Sequence, residues 1–405
     1  MHPPLYTKPF YIFFLMLPTG ISNGFVTVAL PFLLTRNNFP VGVTAGVIAI
    51  GVSANLLRFL WGPVVDISLS LRKWFWISLT TSIITLMLLC ITPFTIEGTI
   101  LLSVIVFISQ VAGTFMVLPV NGFMARSIEE NKKGKASGWY QAGSLAGSGL
   151  GGGIGLWLAT DYSPGIAGFV LCAMSVLFAM VILLIRDIPH AHEKTMIQEL
   201  RVIGNDVFAM LKIPLALFVI ILLIMPIGTG AAANLWSAIS LDWHTYANTV
   251  ILITGLLSGL VSAIGCIAGG FIADRWGVWV AYLGSGVICA LCTLIMALLP
   301  FQPWVYIAGV LAYAFSMGLI YAAFTAVILF AIGKKHVATK FSLLASLGNL
   351  PVVYMTTFNG WAHDEFNSRY MLIAEALIGI LFVIIFYFIL KRMIYKNLIP
   401  AVAEG

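Results

Sequence analysis

The sequence predicts an all-α integral membrane protein in which twelve transmembrane helices form two six-helix repeats. Three observations support this fold class. First, 60% of the 405 residues are hydrophobic and only 9% are charged, with a mean hydropathy of +1.03, whereas about 25% of a soluble domain is charged. Second, apolar runs long enough to cross a bilayer recur along the chain. Third, the two halves share residues at one constant offset. The predicted solvent of this chain is therefore lipid.

Each predicted helix is an apolar run, because a membrane-spanning helix needs about 20 mostly apolar residues. Twelve runs, called spans 1 to 12, lie at 10–34, 42–62, 74–93, 98–125, 136–159, 165–185, 214–237, 249–272, 279–299, 303–332, 338–361 and 370–391. The longest polar stretch, 186–213, separates spans 6 and 7. We therefore expect an N-terminal six-helix bundle at 1–185, a cytoplasmic linker at 186–213 and a C-terminal six-helix bundle at 214–405.

The positive charges predict the orientation of the chain. With both termini in the cytoplasm, the cytoplasmic segments hold 18 of the 21 Lys and Arg residues. The external loops hold only Arg36 and Arg369, and Arg58 lies within span 2. Cytoplasmic loops of membrane proteins carry such an excess of Lys and Arg. We therefore expect a multi-pass protein of the inner (plasma) membrane, and we attribute the net charge of +6 to its loops and not to nucleic-acid binding.

The two halves of the chain resemble each other. Asp66 follows span 2 in the sequence GPVVD, and Asp274 follows span 8 in GFIAD, 208 residues later. The same offset relates the PTG of span 1 (18–20) to the PIG of span 7 (226–228). Several identities at one offset indicate a duplicated half. Two parallel six-helix repeats with a central linker resemble the major facilitator superfamily, a resemblance that implies a substrate site between the halves near the bilayer midplane.

Two motifs strengthen this resemblance. GGFIADRWG (269–277) resembles the loop motif of that superfamily between helices 8 and 9. LRFLWGPVVD (57–66) resembles a branch that contains AmpG-type muropeptide permeases, acetyl-coenzyme A transporters and RhtX/FptX-type siderophore importers, although Gly62 and Val64 replace the usual Ala and Leu. Twelve spans favour the compact siderophore-importer type. The resemblance implies a cytoplasmic gate formed by Arg58, Asp66, Arg72, Asp274 and Arg275.

Arg58 has two interpretations. An arginine within the bilayer is costly unless it is paired or reaches the interface. It lies two turns before Asp66, so the two share a helix face. Arg58 belongs either to the cytoplasmic gate, which we favour, or to a binding site for an anionic substrate. We expect Gly62 and Pro63 to end span 2 and Asp66 to lie in the following loop.

Polar side chains within the spans predict the cavity. Polar groups that face lipid are costly, so we expect them to face the interior, where they contact either substrate or a neighbouring helix. The candidates for the substrate cavity are Asn23, Thr27, Gln110, Asn121, Gln141, Asn234, Trp236 and Asn349. In span 5, glycines at every fourth position from Gly143 to Gly155 predict a face for close helix packing.

Glu375 is the acid that lies clearly within a span. It is a candidate for proton coupling, and the alternatives are a pair with Arg369 or a position near the outer surface. No acid occurs near the middle of spans 1, 4, 7 or 10.

The sequence predicts a transporter and not an enzyme. All six histidines lie in loops or tails, and the five cysteines lie in apolar runs, so no nucleophile–base or metal-ligating group is apparent. We expect no cofactor and no metal. The expected function is secondary active transport of a small-to-medium polar solute, such as a ferric siderophore or a muropeptide-like molecule, by alternating access, in the import direction. The alternative is an exporter of drugs or metabolites. The expected partners are the solute, the lipid bilayer and a coupling proton, and we expect a monomer.

Overall fold

The computed structural model of the chain describes residues 7–128, 133–185, 212–332 and 343–396, together with positions 198, 201, 204, 205, 208 and 209. Over these residues the chain is helical and contains no strand. Most of the predicted linker (186–213) lies outside the described residues. The helical structure of the described residues confirms the predicted all-α membrane fold.

Nine helical segments of the described residues are long and apolar enough to cross a membrane: Tyr11–Arg36, Val41–Gly62, Leu71–Ile91, Ile96–Met124, Pro164–Leu184, Ala247–Ala273, Val278–Leu298, Pro303–Ile328 and Ser368–Tyr395. They correspond to nine of the twelve predicted spans. Span 5 is rich in glycine, span 7 is broken, and the first residues predicted for span 11 lie outside the described part of the chain.

Spans 1 to 6 follow their predicted positions, with short changes of helix type inside several of them. Their bounds are Tyr11–Gly24, a π-helical turn Phe25–Ala29 and Leu30–Arg36 (span 1); Val41–Ser53, a 3₁₀ turn Ala54–Leu57 and Arg58–Ser68 (span 2); Leu71–Ile91 (span 3); Thr99–Ser127 (span 4); Lys133–Gly149, a π-helical turn Leu150–Ile154 and Gly155–Asp161 (span 5); Pro164–Ala179 and a 3₁₀ turn Met180–Leu184 (span 6).

Spans 8 to 12 also match the predictions. They are formed by Ala247–Val250, a π-helical turn Ile251–Leu257 and Ser258–Trp276 (span 8); Val278–Leu298 (span 9); Pro303–Ile332 (span 10); Leu350–Glu365 (span 11); and Ser368–Tyr395 (span 12). Side chains cap the first turns of spans 3, 6 and 12. Asn367, for example, accepts hydrogen bonds from the backbone N–H groups of Arg369 and Tyr370 at the start of span 12, which satisfies donors that have no partner within the helix.

The helices group into two compact units. The first comprises 1–39, 50–200 and 247–256, and the second comprises 40–49, 201–246 and 257–405. The units therefore differ from the predicted bundles in two short segments, one at the start of span 2 and one at the start of span 8. These segments lie 207 residues apart, within one residue of the 208-residue offset of the internal repeat.

In the first unit, span 5 packs directly on span 1 through glycines. A methyl group added at Gly147 would clash with the carbonyl oxygen of Leu17, and one added at Gly151 would clash with that of Ile21. The backbones therefore approach each other as closely as small residues allow. This contact accounts for the four-residue glycine repeat of span 5 as a packing face.

Span 2 does not end at Gly62 and Pro63, contrary to the prediction. Its last helix, Arg58–Ser68, continues through both residues and includes Asp66. The ring of Trp61 stacks on Phe115 of span 4, with 5.2 Å between the centroids. Membrane helices tolerate an internal proline when neighbouring helices support them, and this stack supplies such support.

Span 7 is not the continuous helix that its apolar run predicts. The helix Pro214–Leu223 ends early, and two 3₁₀ turns follow at Ala231–Asn234 and Ser240–Trp243. Between the helix and the first of these turns, Gly228 and Gly230 adopt positive φ angles of 55° and 77°, a conformation that glycine reaches without steric cost. The segment is thus an irregular stretch at the depth of the membrane.

Candidate functional site

The break in span 7 marks the strongest candidate site in the second unit. Irregular backbone at membrane depth occurs only where protein buries it or where it lines a cavity. Here it is buried, since Ile227, Ala231 and Ala232 are at most 2% exposed. In transporters, discontinuous helices of this kind carry substrate and ion sites, because they free backbone groups for ligands.

A buried carboxylate lies beside this break. Glu375 of span 12 accepts a hydrogen bond of 2.9 Å from the hydroxyl of Tyr313 on span 10. The amide of Asn359 on span 11 donates to its other oxygen, and the backbone of Ala232 supplies a further hydrogen bond. Four spans of the second unit thus meet at one acid. We name Glu375, Tyr313 and Asn359 the carboxylate cluster.

Glu375 does not pair with Arg369. The Arg369 guanidinium lies over the ring of Phe301, 5.3 Å from its centroid, and Glu375 is only 9% exposed. The alternative pair with Arg369 is therefore wrong, and a position near the outer surface stays a prediction. The buried carboxylate is instead held by neutral donors, and these satisfy it without adding a positive charge.

A small cavity adjoins the carboxylate cluster. Its lining combines the break in span 7, at Gly228 and Thr229, with Cys289 and Thr293 of span 9 and Glu375 of span 12. The acid therefore borders this small cavity as well as its hydrogen-bond donors.

Two predicted cavity residues of span 7 lie close to this cluster. Asn234 donates a hydrogen bond of 3.0 Å to the hydroxyl of Thr356 on span 11. Trp236 packs edge-on against Tyr313, with 5.3 Å between ring centroids, and its buried indole N–H has no hydrogen-bond partner among the described residues. Neither residue bonds to the acid directly: Trp236 contacts its partner Tyr313, and Asn234 bonds to span 11, which carries its partner Asn359.

In the first unit, a buried polar contact joins spans 1 and 4. The hydroxyls of Ser22 and Ser109 form a buried hydrogen bond of 2.8 Å. Beside them, the side chain of Gln110 is buried, and its Nε2 has no partner among the described residues. Asn23 is exposed, and Thr27 bonds to the carbonyl oxygen of Asn23 within the same helix.

The remaining three cavity candidates are less informative. The side-chain amide of Asn349 donates a hydrogen bond to the carbonyl oxygen of Ala345, four residues earlier in the same segment. Asn121 is half-buried and Gln141 is exposed. None of the three joins the carboxylate cluster, and their contact with a solute stays a prediction.

The predicted gate residues are placed only in part. Arg58 is half-buried at the start of the last helix of span 2. Arg72 donates to the carbonyl oxygen of Ile185, which ends span 6, a favourable site for a cation because helix C-termini carry negative charge. Arg275 is exposed in the last turn of span 8. The side chains of Asp66 and Asp274 lie outside the described residues, so their pairing stays a prediction.

A second group of polar and charged residues lies at the end of span 11, the start of span 12 and the 3₁₀ turn Ser240–Trp243. We name Asp242, His363, Asp364 and Ser368 the loop cluster. His363 Nε2 lies 2.9 Å from Asp242 Oδ2, which also accepts from the hydroxyl of Ser368. Asp364 accepts a hydrogen bond of 2.6 Å from the backbone N–H of Gly42. These contacts join four segments of the chain: the starts of spans 2 and 12, the end of span 11 and the turn at Asp242.

The loop cluster shifts the pKa values of Asp242 and His363. Burial alone would raise the pKa of Asp242, but hydrogen bonds from His363 and Ser368 outweigh it and lower this pKa. Burial alone would lower the pKa of His363, but its hydrogen bond and charge interaction with Asp242, reinforced by Asp364, raise it. Opposite charges stabilise each other in this way when they lie within a few ångströms.

Sequence analysis missed Tyr313 and Asn359, the two partners of Glu375. Both are polar groups inside apolar runs, the same signal that identified the cavity candidates. Their hydrogen-bonding capacity, and not their spacing, marks them, since Tyr313 and Asn359 lie 62 and 16 residues from Glu375. No group of three or more His, Cys, Asp or Glu side chains that could hold a metal ion occurs in the described part of the chain.

Comparisons with known proteins agree with this architecture. A family model described as Major Facilitator Superfamily matches residues 12–356. No match was found among functionally curated proteins. Among solved structures, a bacterial homolog of the human lysosomal transporter Spinster, in an inward-facing and unoccupied conformation, is 15% identical with a TM-score of 0.77, covering 98% of this chain and 100% of the other.

Two further solved structures resemble the chain over nearly its whole length. The D-xylose-proton symporter is 13% identical with a TM-score of 0.72, covering 94% of this chain and 96% of the other. The nucleoside transporter NupG is 13% identical with a TM-score of 0.72, covering 94% and 98%. At this level of identity the likeness concerns the fold alone.

Proposed function

Since the chain belongs to the major facilitator superfamily, and is thus a membrane transporter and not an enzyme, we propose that it imports a polar solute across the bacterial inner membrane by alternating access, coupled to protons through Glu375. The observation that carries the proposal is the buried carboxylate that three hydrogen-bond donors hold beside the break in span 7.

The carboxylate supports proton coupling because of its surroundings. An isolated ionised carboxylate in an apolar interior is very costly, and such a group tends to neutralise itself by taking up a proton. Tyr313 and Asn359 offer donors that suit the ionised form and still bond the oxygens of the protonated form. A proton that binds to Glu375 in one conformation of the transporter and is released in the other would couple the proton gradient to transport.

Two buried side-chain donors favour an uncharged or anionic solute. Buried donors without partners, at Gln110 in the first unit and Trp236 in the second, are costly unless a ligand or water satisfies them. Glu375 already has its own donors, so it does not present a bare negative charge to a cation. These features disfavour a cationic drug as the solute.

The resemblance of LRFLWGPVVD to the permease branch narrows the solute class. That branch takes up muropeptides and ferric siderophores, which are large polar molecules with many hydrogen-bond acceptors. We propose a solute of this kind, a ferric siderophore first and a muropeptide-like molecule second. Arg58 serves the cytoplasmic gate in this proposal.

An uptake experiment tests the proposal. Cells that express the protein and cells with an empty vector are given ⁵⁵Fe-labelled ferric siderophores or labelled anhydromuropeptide, with and without an uncoupler of the proton gradient. We expect one of the two classes to accumulate only in the expressing cells and only without the uncoupler. If neither accumulates, and if the expressing cells instead extrude amphipathic dyes, the protein is an exporter.

A further inference from the structure

An apolar groove of about 550 Å³ runs along the surface of the second unit between spans 9 and 12. Its floor is formed by buried side chains, among them Trp279, Leu283 and Val383. Its rim is formed by exposed ones, among them Ile384, Tyr387 and Phe388. No polar surface lines it. Because both spans are apolar membrane helices, the groove opens to the hydrocarbon of the bilayer.

Gly284 keeps the groove open. It lies in the wall on span 9, and a methyl group added at this position would meet no atom within 4 Å. Most helix-packing glycines of this chain are different, since an added methyl group at Gly147, Gly265 or Gly318 would clash with a neighbouring backbone. Close helix packing therefore does not explain the glycine at position 284, whereas an occupied groove does.

Positive charge lies at one end of the groove. On span 12 the groove follows Ile384, Tyr387 and Phe388, and the same helical face continues to Lys391, which is seven residues from Ile384 and four from Tyr387. Arg392 follows Phe388 by four residues in the same way. Both cations are exposed, and neither has a hydrogen-bond or ion-pair partner among the described residues.

We propose that this groove binds an anionic glycerophospholipid, with one acyl chain in the groove and the phosphate-bearing headgroup at Lys391 and Arg392. The lining on span 12 runs from Val383 to Leu390, about 10 Å at a rise of 1.5 Å per residue. One leaflet contributes about 15 Å of hydrocarbon. The groove is thus long enough for roughly two-thirds of an acyl chain. If these are the two-thirds nearest the headgroup, the phosphate lies level with Lys391 and Arg392.

The anionic class follows from charge complementarity. Basic side chains at the end of a membrane helix attract anionic lipids, whereas a zwitterionic headgroup offers the two cations no net charge. The wholly apolar lining excludes a polar solute, and the groove lies apart from the carboxylate cluster, none of whose members lines it. This lipid site is therefore independent of the proposed transport function.

Native mass spectrometry of the purified full-length protein in a non-ionic detergent tests the site. The probes are phosphatidylglycerol and phosphatidylethanolamine with identical acyl chains, titrated separately. We expect phosphatidylglycerol to be retained more strongly by the unaltered protein. Gly284→Leu fills the groove and should reduce retention of both lipids, while Gly165→Leu, also at a glycine with open space around it, should change neither.

The charged end needs its own variant. Lys391→Gln combined with Arg392→Gln should lower the affinity for phosphatidylglycerol on the order of tenfold and leave phosphatidylethanolamine unchanged, while Lys212→Gln, an exposed lysine elsewhere, should have no effect. Equal retention of the two lipids by the unaltered protein would overturn the anionic assignment. Undiminished phosphatidylglycerol retention in a folded Gly284→Leu variant, as judged by its melting temperature, would overturn the groove as the site.

Discussion

The hydroxyl of Tyr313 on span 10 donates a 2.9 Å hydrogen bond to the carboxylate of Glu375 on span 12, and both side chains are buried. Asn359 of span 11 donates to the same carboxylate. A buried acid within a membrane-spanning helix lowers the stability of the protein, and its hydrogen-bond partners reduce that cost. The hydrogen bonds at Glu375 therefore join side chains of spans 10, 11 and 12, and the role of this acid in transport stays a prediction.

The broken backbone of span 7 should not tolerate side chains. We predict that Gly228→Ala and Gly230→Ala each lower the free energy of unfolding, because an L residue with positive φ costs about 1–2 kcal/mol and the added methyl group would also press on Ile320 or Met317. Thermal unfolding in detergent measures this. Gly284→Ala, which has open space, is the matched control, and equal melting temperatures for all three variants would contradict the strained break.

The contact between spans 1 and 5 should be equally sensitive. Gly151→Ala places a methyl group against the carbonyl of Ile21, and the backbones must separate to admit it. We predict a loss of about 1–3 kcal/mol, the usual cost of overpacking, again seen as a lower melting temperature. Gly62→Ala on span 2, where nothing lies within 4 Å, should leave the melting temperature near that of the unaltered protein. A Gly151→Ala variant as stable as Gly62→Ala would show that the helices do not pack so closely.

The loop cluster should give the protein a pH-dependent stability. The pKa of His363 is raised above its ordinary value of 6.5, so its stabilising contribution is complete below that pH and is lost as the pH rises through the raised pKa. The pKa of Asp242 is lowered from 3.8, so its contribution is present above that pH and is lost as the pH falls through the lowered pKa. The stabilisation is therefore largest between these two limits.

Substitution of either partner should remove this dependence. We predict that the melting temperature of the unaltered protein falls between pH 6 and pH 8 more than that of His363→Gln or Asp242→Asn. Because the two side chains act as one pair, the double variant should be no flatter than either single variant. A His363→Gln profile parallel to that of the unaltered protein would refute the assignment.

Arg58 should affect rate more than affinity if it serves the gate. We predict that Arg58→Ala lowers the rate of solute uptake while equilibrium binding of the same solute to purified protein stays unchanged. Arg36→Ala, an exposed arginine at the end of span 1, is the control for loss of charge. A loss of binding affinity in Arg58→Ala, with normal membrane insertion, would assign this arginine to an anionic substrate instead.

The spans were predictable because lipid imposes one solution on the backbone. Every N–H and C=O group in hydrocarbon must be satisfied internally, so long apolar runs become helices. The break in span 7 was not predictable from the same rule. Pro18 and Gly20 of span 1 match Pro226 and Gly228 of span 7, yet the first pair stays helical and the second does not. Gly20 faces the backbone of Gly147 on span 5, so tertiary packing decides which copy unwinds.

The site was predictable only as a set of polar residues. The rule that polar groups within spans face inward identified Asn234, Trp236 and Glu375, and the structure places all three around the broken span. This rule could not predict the partners of the acid, because hydrogen bonds between helices depend on the rotation of each helix about its axis. The nearest charge in sequence, Arg369, contacts the ring of Phe301 instead.

Transport by Glu375→Gln in proteoliposomes tests the central claim most directly. Purified unaltered and variant proteins are reconstituted, and labelled ferric siderophore and labelled anhydromuropeptide are supplied under an imposed pH gradient or in counterflow exchange without a gradient. Gln cannot carry a proton. We therefore predict that the variant exchanges the transported solute in counterflow but no longer accumulates it under the gradient, whereas the unaltered protein does both. Accumulation by Glu375→Gln at the level of the unaltered protein would contradict proton coupling through this residue.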